Sequence, residues 1–291
     1  MSKKRLSALL VLSLVAFLRP AAAATGRAEC NSLASRVLGR PVAYCVLLPP
    51  GYDADKNRRF PVLYFFHGLG DNEQMFLHAG GFSLVEDLWE RGELGEFLIV
   101  TPDAGSSFYI DSRDGKVRYG RFLVEEFLPG IEKRYRVRPG RANRAVSGAS
   151  MGGYGALNLA FRHPELFAAV SAHSPALIVK LPAFTRQAGM ASPRSRILGG
   201  TFGSPPDPEF WERMSPLTLG RTAPLAGLAI YFDCGDQDDF GFESGAAALD
   251  KLLTARRIAH EAHLYPGRHD WQYFAEHLPA SLKFHSRVFG K

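Results

Sequence analysis

The sequence predicts an α/β protein, a mostly parallel central sheet with helices on both faces. Three observations predict it. Short, nearly continuous apolar runs recur along the chain, as in strands covered on both sides. Longer stretches with helical spacing lie between them. One apolar run passes into a helix through a Gly-x-Ser-x-Gly turn, Gly148-Ala-Ser150-Met-Gly152.

Composition is consistent with one folded unit. The 291 residues are 46% hydrophobic and 12% aromatic, too apolar for a disordered chain. Glycine and proline are scattered without period, which excludes a collagen-like repeat. At the N-terminus, Lys3, Lys4 and Arg5 precede the apolar stretch Leu6–Leu18. Arg19-Pro20 breaks that stretch, and Ala22-Ala23-Ala24 supplies a small-residue cleavage site. This is the pattern of a secretory signal peptide, too short for a membrane span. It predicts a signal over 1–24, a single domain over 25–291, and a secreted or periplasmic location. No stable membrane insertion is expected after cleavage.

Residues 1–24 carry four basic and no acidic residues, so without them the formal charge falls from +6 to +2. With no basic run in the remainder, a nucleic-acid partner is not expected. Export permits a disulfide. Cys30 and Cys45 flank a turn at Gly39-Arg40-Pro41 and are expected to pair, leaving Cys234 as a buried thiol. The cysteine and histidine spacings give no metal site.

In chain order the expected strands are Val42–Leu48, Pro61–Phe66, Phe97–Thr101, Arg144–Ser147, Ala168–Ala172, Leu228–Cys234 and Glu261–Tyr265. The expected helices are Phe82–Arg91, Tyr119–Tyr135, Met151–Arg162, Ser244–Arg257 and Trp271–Val288. In the second of these, Phe122, Val124, Phe127, Leu128 and Ile131 make one apolar face. Residues 176–224 break the alternation. Rich in Pro, Gly, Ser and Arg, they offer only short helical candidates, Pro182–Gly189 and Pro208–Met214. They read as a loop-rich insertion or small cap, expected to shape the acyl or alcohol side of a site.

The Gly-x-Ser-x-Gly turn carries the chemistry. A strand that turns sharply into a helix, with serine at the apex, projects the hydroxyl outward above a helix N-terminus. Small residues two positions to either side let the chain pass close to itself. Serine needs a base, and the base needs an acid to orient it. In this arrangement the chain order is serine, acid, histidine. His269, in Pro266-Gly-Arg-His269-Asp-Trp271, follows the last strand and is the expected base for Ser150. The acid is expected after the strand Leu228–Cys234, where Asp236, Asp238 and Asp239 are all candidates. A calcium loop does not fit there, since Phe240 and Ala247 fall where ligands would be needed. For the oxyanion, the expected donors are the amides of Met151, after the serine, and Leu69, in His67-Gly-Leu69-Gly-Asp71. His67 is expected to hold that loop rather than move protons.

These motifs resemble the putative-esterase family of α/β-hydrolases. That family includes tributyrin-type carboxylesterases, feruloyl and acetyl-xylan esterases, S-formylglutathione hydrolases and mycolyltransferases. The resemblance runs from Leu48-Pro-Pro-Gly-Tyr52 through His67-Gly-Leu-Gly and Val100-Thr-Pro-Asp103 to the serine turn and Arg162-His-Pro-Glu-Leu-Phe167. It implies an α/β-hydrolase fold and no cofactor. The family's Cys-Gly-x-x-Asp loop matches Cys234–Asp238 and selects Asp238 as the acid. Its Gly-x-His-x-Trp loop matches Gly267–Trp271. The implied activity is hydrolysis of a short-chain acyl, acetyl or feruloyl ester, on a small molecule or a glycan. An acyltransferase with a sugar acceptor and a non-catalytic binding module are the other readings. Phe108, Tyr109 and Trp271 are candidates for ring contacts with substrate. The sequence leaves the oligomeric state open.

Overall fold

The structure is a computed structural model that describes residues 25–181 and 193–291. The expected signal peptide and the expected helix Pro182–Gly189 lie outside the described residues. The strands are β1 (Arg27–Ala34), β2 (Pro41–Leu48), β3 (Val62–Phe66), β4 (Leu98–Pro102), β5 (Arg144–Gly148), β6 (Ala169–His173), β7 (Ala229–Gly235) and β8 (Glu261–Tyr265). They form one sheet in the order β1-β2-β4-β3-β5-β6-β7-β8. Strands β3 to β8 run parallel, while β1 pairs antiparallel with β2 and β2 antiparallel with β4.

Each of the seven expected strands is present, with its ends within one residue of the apolar run. The exception is β1, which the sequence did not signal. Its residues RAECNSLA are mostly polar because β1 is an edge strand with one face open, and its burial simply alternates. Cys30 and Cys45 stand opposite each other in the β1–β2 register and are disulfide-bonded, as expected. Cys234 is the free, buried thiol.

The helices are α1 (Gly51–Ala54), α2 (Met75–His78), α3 (Gly81–Glu90), α4 (Tyr119–Phe122), α5 (Leu128–Arg134), α6 (Met151–Arg162), α7 (Pro193–Phe202), α8 (Pro208–Met214), α9 (Pro216–Thr222), α10 (Glu243–Ala255) and α11 (Trp271–Val288). The expected continuous helix Tyr119–Tyr135 is divided. A π-helical turn, Leu123–Phe127, joins α4 to α5. Pro129 follows it and has no N–H to return to the carbonyl four residues back, so the wider turn absorbs the break.

Side chains alternate between two cores across the sheet. On β3, Val62, Tyr64 and Phe66 join the larger core under α4, α5, α6 and α10, while Leu63 and Phe65 join the smaller core under α3 and α11. This double burial is why the central strands read as unbroken apolar runs. The insertion helices α7 to α9 add Phe202, Phe210, Trp211 and Leu217 to the larger core. Tyr154 and Asn158 of α6 both donate to the Met214 carbonyl, at 2.8 and 2.5 Å, tying α8 down.

Candidate active site

The serine turn is built by exclusion of side chains. Ser150 sits between β5 and α6 with φ 56° and ψ −117°, a conformation a non-glycine residue holds only when its surroundings enforce it. The enforcement is visible. A Cβ on Gly152 would overlap the Phe66 carbonyl oxygen, and a Cβ on Gly148 would overlap the Gly152 carbonyl. The Ser150 amide donates to the His173 carbonyl at 2.9 Å, and the Ala149 amide to that of Phe66 at 3.1 Å. Neighbouring strands therefore hold both sides of the turn.

The structure brings Ser150, His269 and Asp238 together. His269 Nε2 lies 2.9 Å from Ser150 Oγ, and His269 Nδ1 lies 2.7 Å from Asp238 Oδ2. A carboxylate only accepts, so Nδ1 carries the imidazole proton and Nε2 is free to accept from the serine. Burial acts to raise the Asp238 pKa. The hydrogen bond and charge of His269, with the Phe240 and Phe242 amides, outweigh it and hold the carboxyl below its usual range. The Cys234 thiol donates to the same Oδ2 at 3.7 Å, and burial pushes that thiol up to about 12.

The two neighbouring acids have other partners. Asp236 accepts from the Gly267 amide at 3.1 Å. Asp239 accepts from the His269 amide at 3.2 Å and pairs with Arg268. Both clamp the loop that carries the histidine. Phe240, Phe242 and Phe274 present ring edges around the His269 imidazole, 4.8 to 5.4 Å between centroids. The residues alone left the three acids undivided and the family resemblance pointed to Asp238, which is the one that meets the imidazole.

On the other side of Ser150 stands the loop after β3. Its Gly68 backbone lies close to the Ser150 side chain. Among the described residues, the Leu69 and Met151 amides have no carbonyl acceptor outside helical ladders. His67 fixes this loop as expected: Nδ1–H donates to the Gly68 carbonyl at 2.7 Å, and Nε2 accepts from the Ala104 amide at 3.0 Å. Burial holds its pKa below the usual histidine value, against the Gly68 hydrogen bond and Asp103. The ring is thus a neutral brace between the loops after β3 and β4.

A cleft of about 180 Å³ opens at Ser150. Its walls are Phe65, Leu69, Met75, Phe76, Trp271 and Phe274, with Asp71, Asn72 and Thr101 as polar points. Asp71, not singled out from sequence as a site residue, is raised in pKa by burial. Trp271 lines the cleft as expected, whereas Phe108 and Tyr109 are buried in the larger core. No described residue of 176–224 lines this cleft. Leu177–Lys180 instead line a neighbouring groove with Phe240, Gly241, Phe242 and Ser244. Among the described residues no group of three or more His, Cys, Asp or Glu side chains is placed to hold a metal ion.

Comparison with known proteins agrees with the fold. The family model described as "Putative esterase" matches residues 35–285. An esterase of Mycobacterium tuberculosis is 31% identical over 246 residues, which is 77% of this chain and 51% of the relative, so the chain spans about half its length. The S-formylglutathione hydrolase of Bos taurus is 25% identical, over 84% of this chain and 88% of that protein. Among solved structures, a ferulic acid esterase superposes with a TM-score of 0.79 at 31% identity, covering 91% of this chain and 99% of that one. With most of its length matched by the family model and its sheet, serine turn and loop order those of an α/β-hydrolase, the chain belongs to the esterase family named by that model.

Proposed function

We propose that the chain is an exported serine carboxylesterase that works through an acyl-enzyme on Ser150. The observation that carries the reading is the continuous contact from Ser150 Oγ to His269 to Asp238, at 2.9 and 2.7 Å, opening on an apolar cleft. Ser150 Oγ attacks the ester carbonyl while His269 Nε2 takes its proton. The oxyanion is received by the Leu69 and Met151 amides. His269 returns the proton to the departing alkoxide, leaving the acyl group on Ser150. Water, activated by the same nitrogen, then releases the acid. Asp238 holds the imidazole in the productive tautomer and offsets its charge when protonated.

The cleft favours a small acyl group or a single ring over a long chain. Its volume and its Phe65, Phe76 and Trp271 walls support acetyl, short-chain or feruloyl esters, free or glycan-linked. Likeness to a ferulic acid esterase supports the aromatic option. Export is supported by the basic and apolar segments of residues 1–24 and by the Cys30–Cys45 disulfide.

The test is hydrolysis of p-nitrophenyl esters from acetate to laurate, and of methyl ferulate, by residues 25–291 and by Ser150→Ala. Activity confined to short or aromatic acyl groups and lowered at least about 10³-fold in Ser150→Ala is expected. Equal activity in the variant, or a preference for laurate, contradicts the reading.

A further inference from the structure

Behind the cleft lies a second serine–histidine–aspartate group that solvent does not reach. His173 ends β6, Asp233 stands opposite it in the β6–β7 register, and Ser281 reaches His173 from α11. All three are at most 1% exposed. His173 Nε2 lies 2.7 Å from Ser281 Oγ, and His173 Nδ1 lies 2.8 Å from Asp233 Oδ2. The second contact lies off the N–H axis, so it is a close polar contact rather than an aligned hydrogen bond. The other carboxylate oxygen, Asp233 Oδ1, accepts from the Tyr273 hydroxyl at 2.8 Å. With no path for substrate, this group does no chemistry of its own.

Its members are nevertheless fastened to the serine turn, to Asp238 and to the loop of His269. The His173 carbonyl accepts the Ser150 amide at 2.9 Å, and the Asp233 carbonyl accepts the Ser174 amide at 2.8 Å. Asp233 is followed by Cys234, whose thiol reaches Asp238. The Tyr273 ring lies 2.6 Å from where a Cβ on Gly267 would stand, and its amide is capped by Asp270. Tyr273 thereby braces residues 267–270, which include His269. One buried carboxylate thus joins the strand behind the nucleophile to the loop that bears the base.

From this connection we infer that Asp233, His173 and Tyr273 are positioning residues that set the Ser150–His269 contact without touching substrate. The inference rests on the esterase reading above. Removing the Tyr273 hydroxyl leaves a sealed carboxylate oxygen without its donor and frees the start of α11 to shift. Proton transfer across the Ser150–His269 contact is sensitive to such a shift, since displacement by about 1 Å lowers rates about 100-fold. Of the cleft walls, Phe65, Leu69, Met75 and Phe76 lie outside the braced segment, and only Trp271 and Phe274 ride on the start of α11. Acylation and deacylation use the same imidazole, so both slow together, and kcat falls by more than KM changes.

The experiment compares wild type, Tyr273→Phe, Asp233→Asn and the double variant His173→Gln/Asp233→Asn on p-nitrophenyl acetate. Rates are taken per folded molecule by circular dichroism, with Ser150→Ala as control. The expected result is a fall in kcat of about 10–100-fold in Tyr273→Phe, with KM within about twofold. Labelling of Ser150 by a fluorophosphonate should slow in parallel. The double variant, with two amides in place of the His173–Asp233 contact, is expected to recover kcat at least about tenfold over Asp233→Asn alone. Should Asp233→Asn not fold, Tyr273→Phe decides alone. Wild-type kcat and labelling in Tyr273→Phe, whatever its melting temperature, overturn the inference. Retained activity in Ser150→Ala overturns the esterase reading instead, so the two failures are separable.

Discussion

Three carboxylates within four residues of one another, Asp236, Asp238 and Asp239, are given different work by where each side chain points. Asp238 meets the imidazole, Asp236 meets the Gly267 amide, and Asp239 meets Arg268 and the His269 amide. Asp238→Asn can donate to His269 Nδ1 and so favours the wrong tautomer. A loss in kcat of about 10⁴-fold is expected, the size such a change has in a Ser-His-Asp triad. Asp239→Asn keeps an acceptor for the His269 amide and is expected to stay within about tenfold of wild type. Steady-state kinetics on one ester checks both, and equal losses would count against Asp238 as the orienting acid. The residues alone left these three acids undivided. Ser150 and His269 were legible because each has a local signature: small residues that a strand–helix turn requires, and a position directly after the last strand.

The central strands were legible because both faces are buried; of the two edge strands, β8 was expected and β1 was not. Strands β3 to β7 announce themselves as apolar runs because two cores need them. The edge strand β1 needs no apolar run, and its place is fixed by pairing with β2 and by the Cys30–Cys45 bond. The π turn at Leu123–Phe127 likewise leaves the apolar face of its helix intact, so periodicity passes over it. The disulfide belongs to this level of structure. It spans 15 residues of sequence, for which loop closure gives about 3 kcal/mol. Cys30→Ala/Cys45→Ala is therefore expected to lower the urea midpoint while leaving kcat/KM within about twofold. Strands β2, β4 and β3 separate β1 from the serine turn. An activity loss as large as that of a triad variant would show β1 to matter beyond stability.

The molecule as a whole buries several imidazoles, and this sets how its stability responds to acid. Burial lowers the pKa of His67, and burial with the neighbouring His173 lowers that of His285 to about 3. Both stay neutral in the fold while the unfolded chain takes up protons below about pH 6.5. Stability is therefore expected to fall as pH drops from about 6.5 toward those folded values, by up to about 1.4 kcal/mol per pH unit for each proton. Asp238, whose folded pKa is depressed, adds a further loss only below about pH 4. Urea unfolding at pH 7 and pH 5 measures this, and His285→Gln should flatten the slope. A wild-type stability independent of pH over that range would mean these rings are not neutral in the fold. The insertion shows what sequence at this level does not reveal. Its composition marked it as unlike the rest, but its described helices pack on the larger core rather than over the cleft.

The assignment of Ser150 as nucleophile, activated by His269, is tested most directly by intact mass and peptide mapping after brief exposure to a fluorophosphonate. In that reaction Ser150 Oγ displaces fluoride and keeps the phosphonyl group. One adduct per molecule on the peptide bearing Ser150 is expected, formed at least about 10³-fold more slowly in His269→Ala. An adduct elsewhere, or labelling of Ser150 at an undiminished rate without His269, would contradict it.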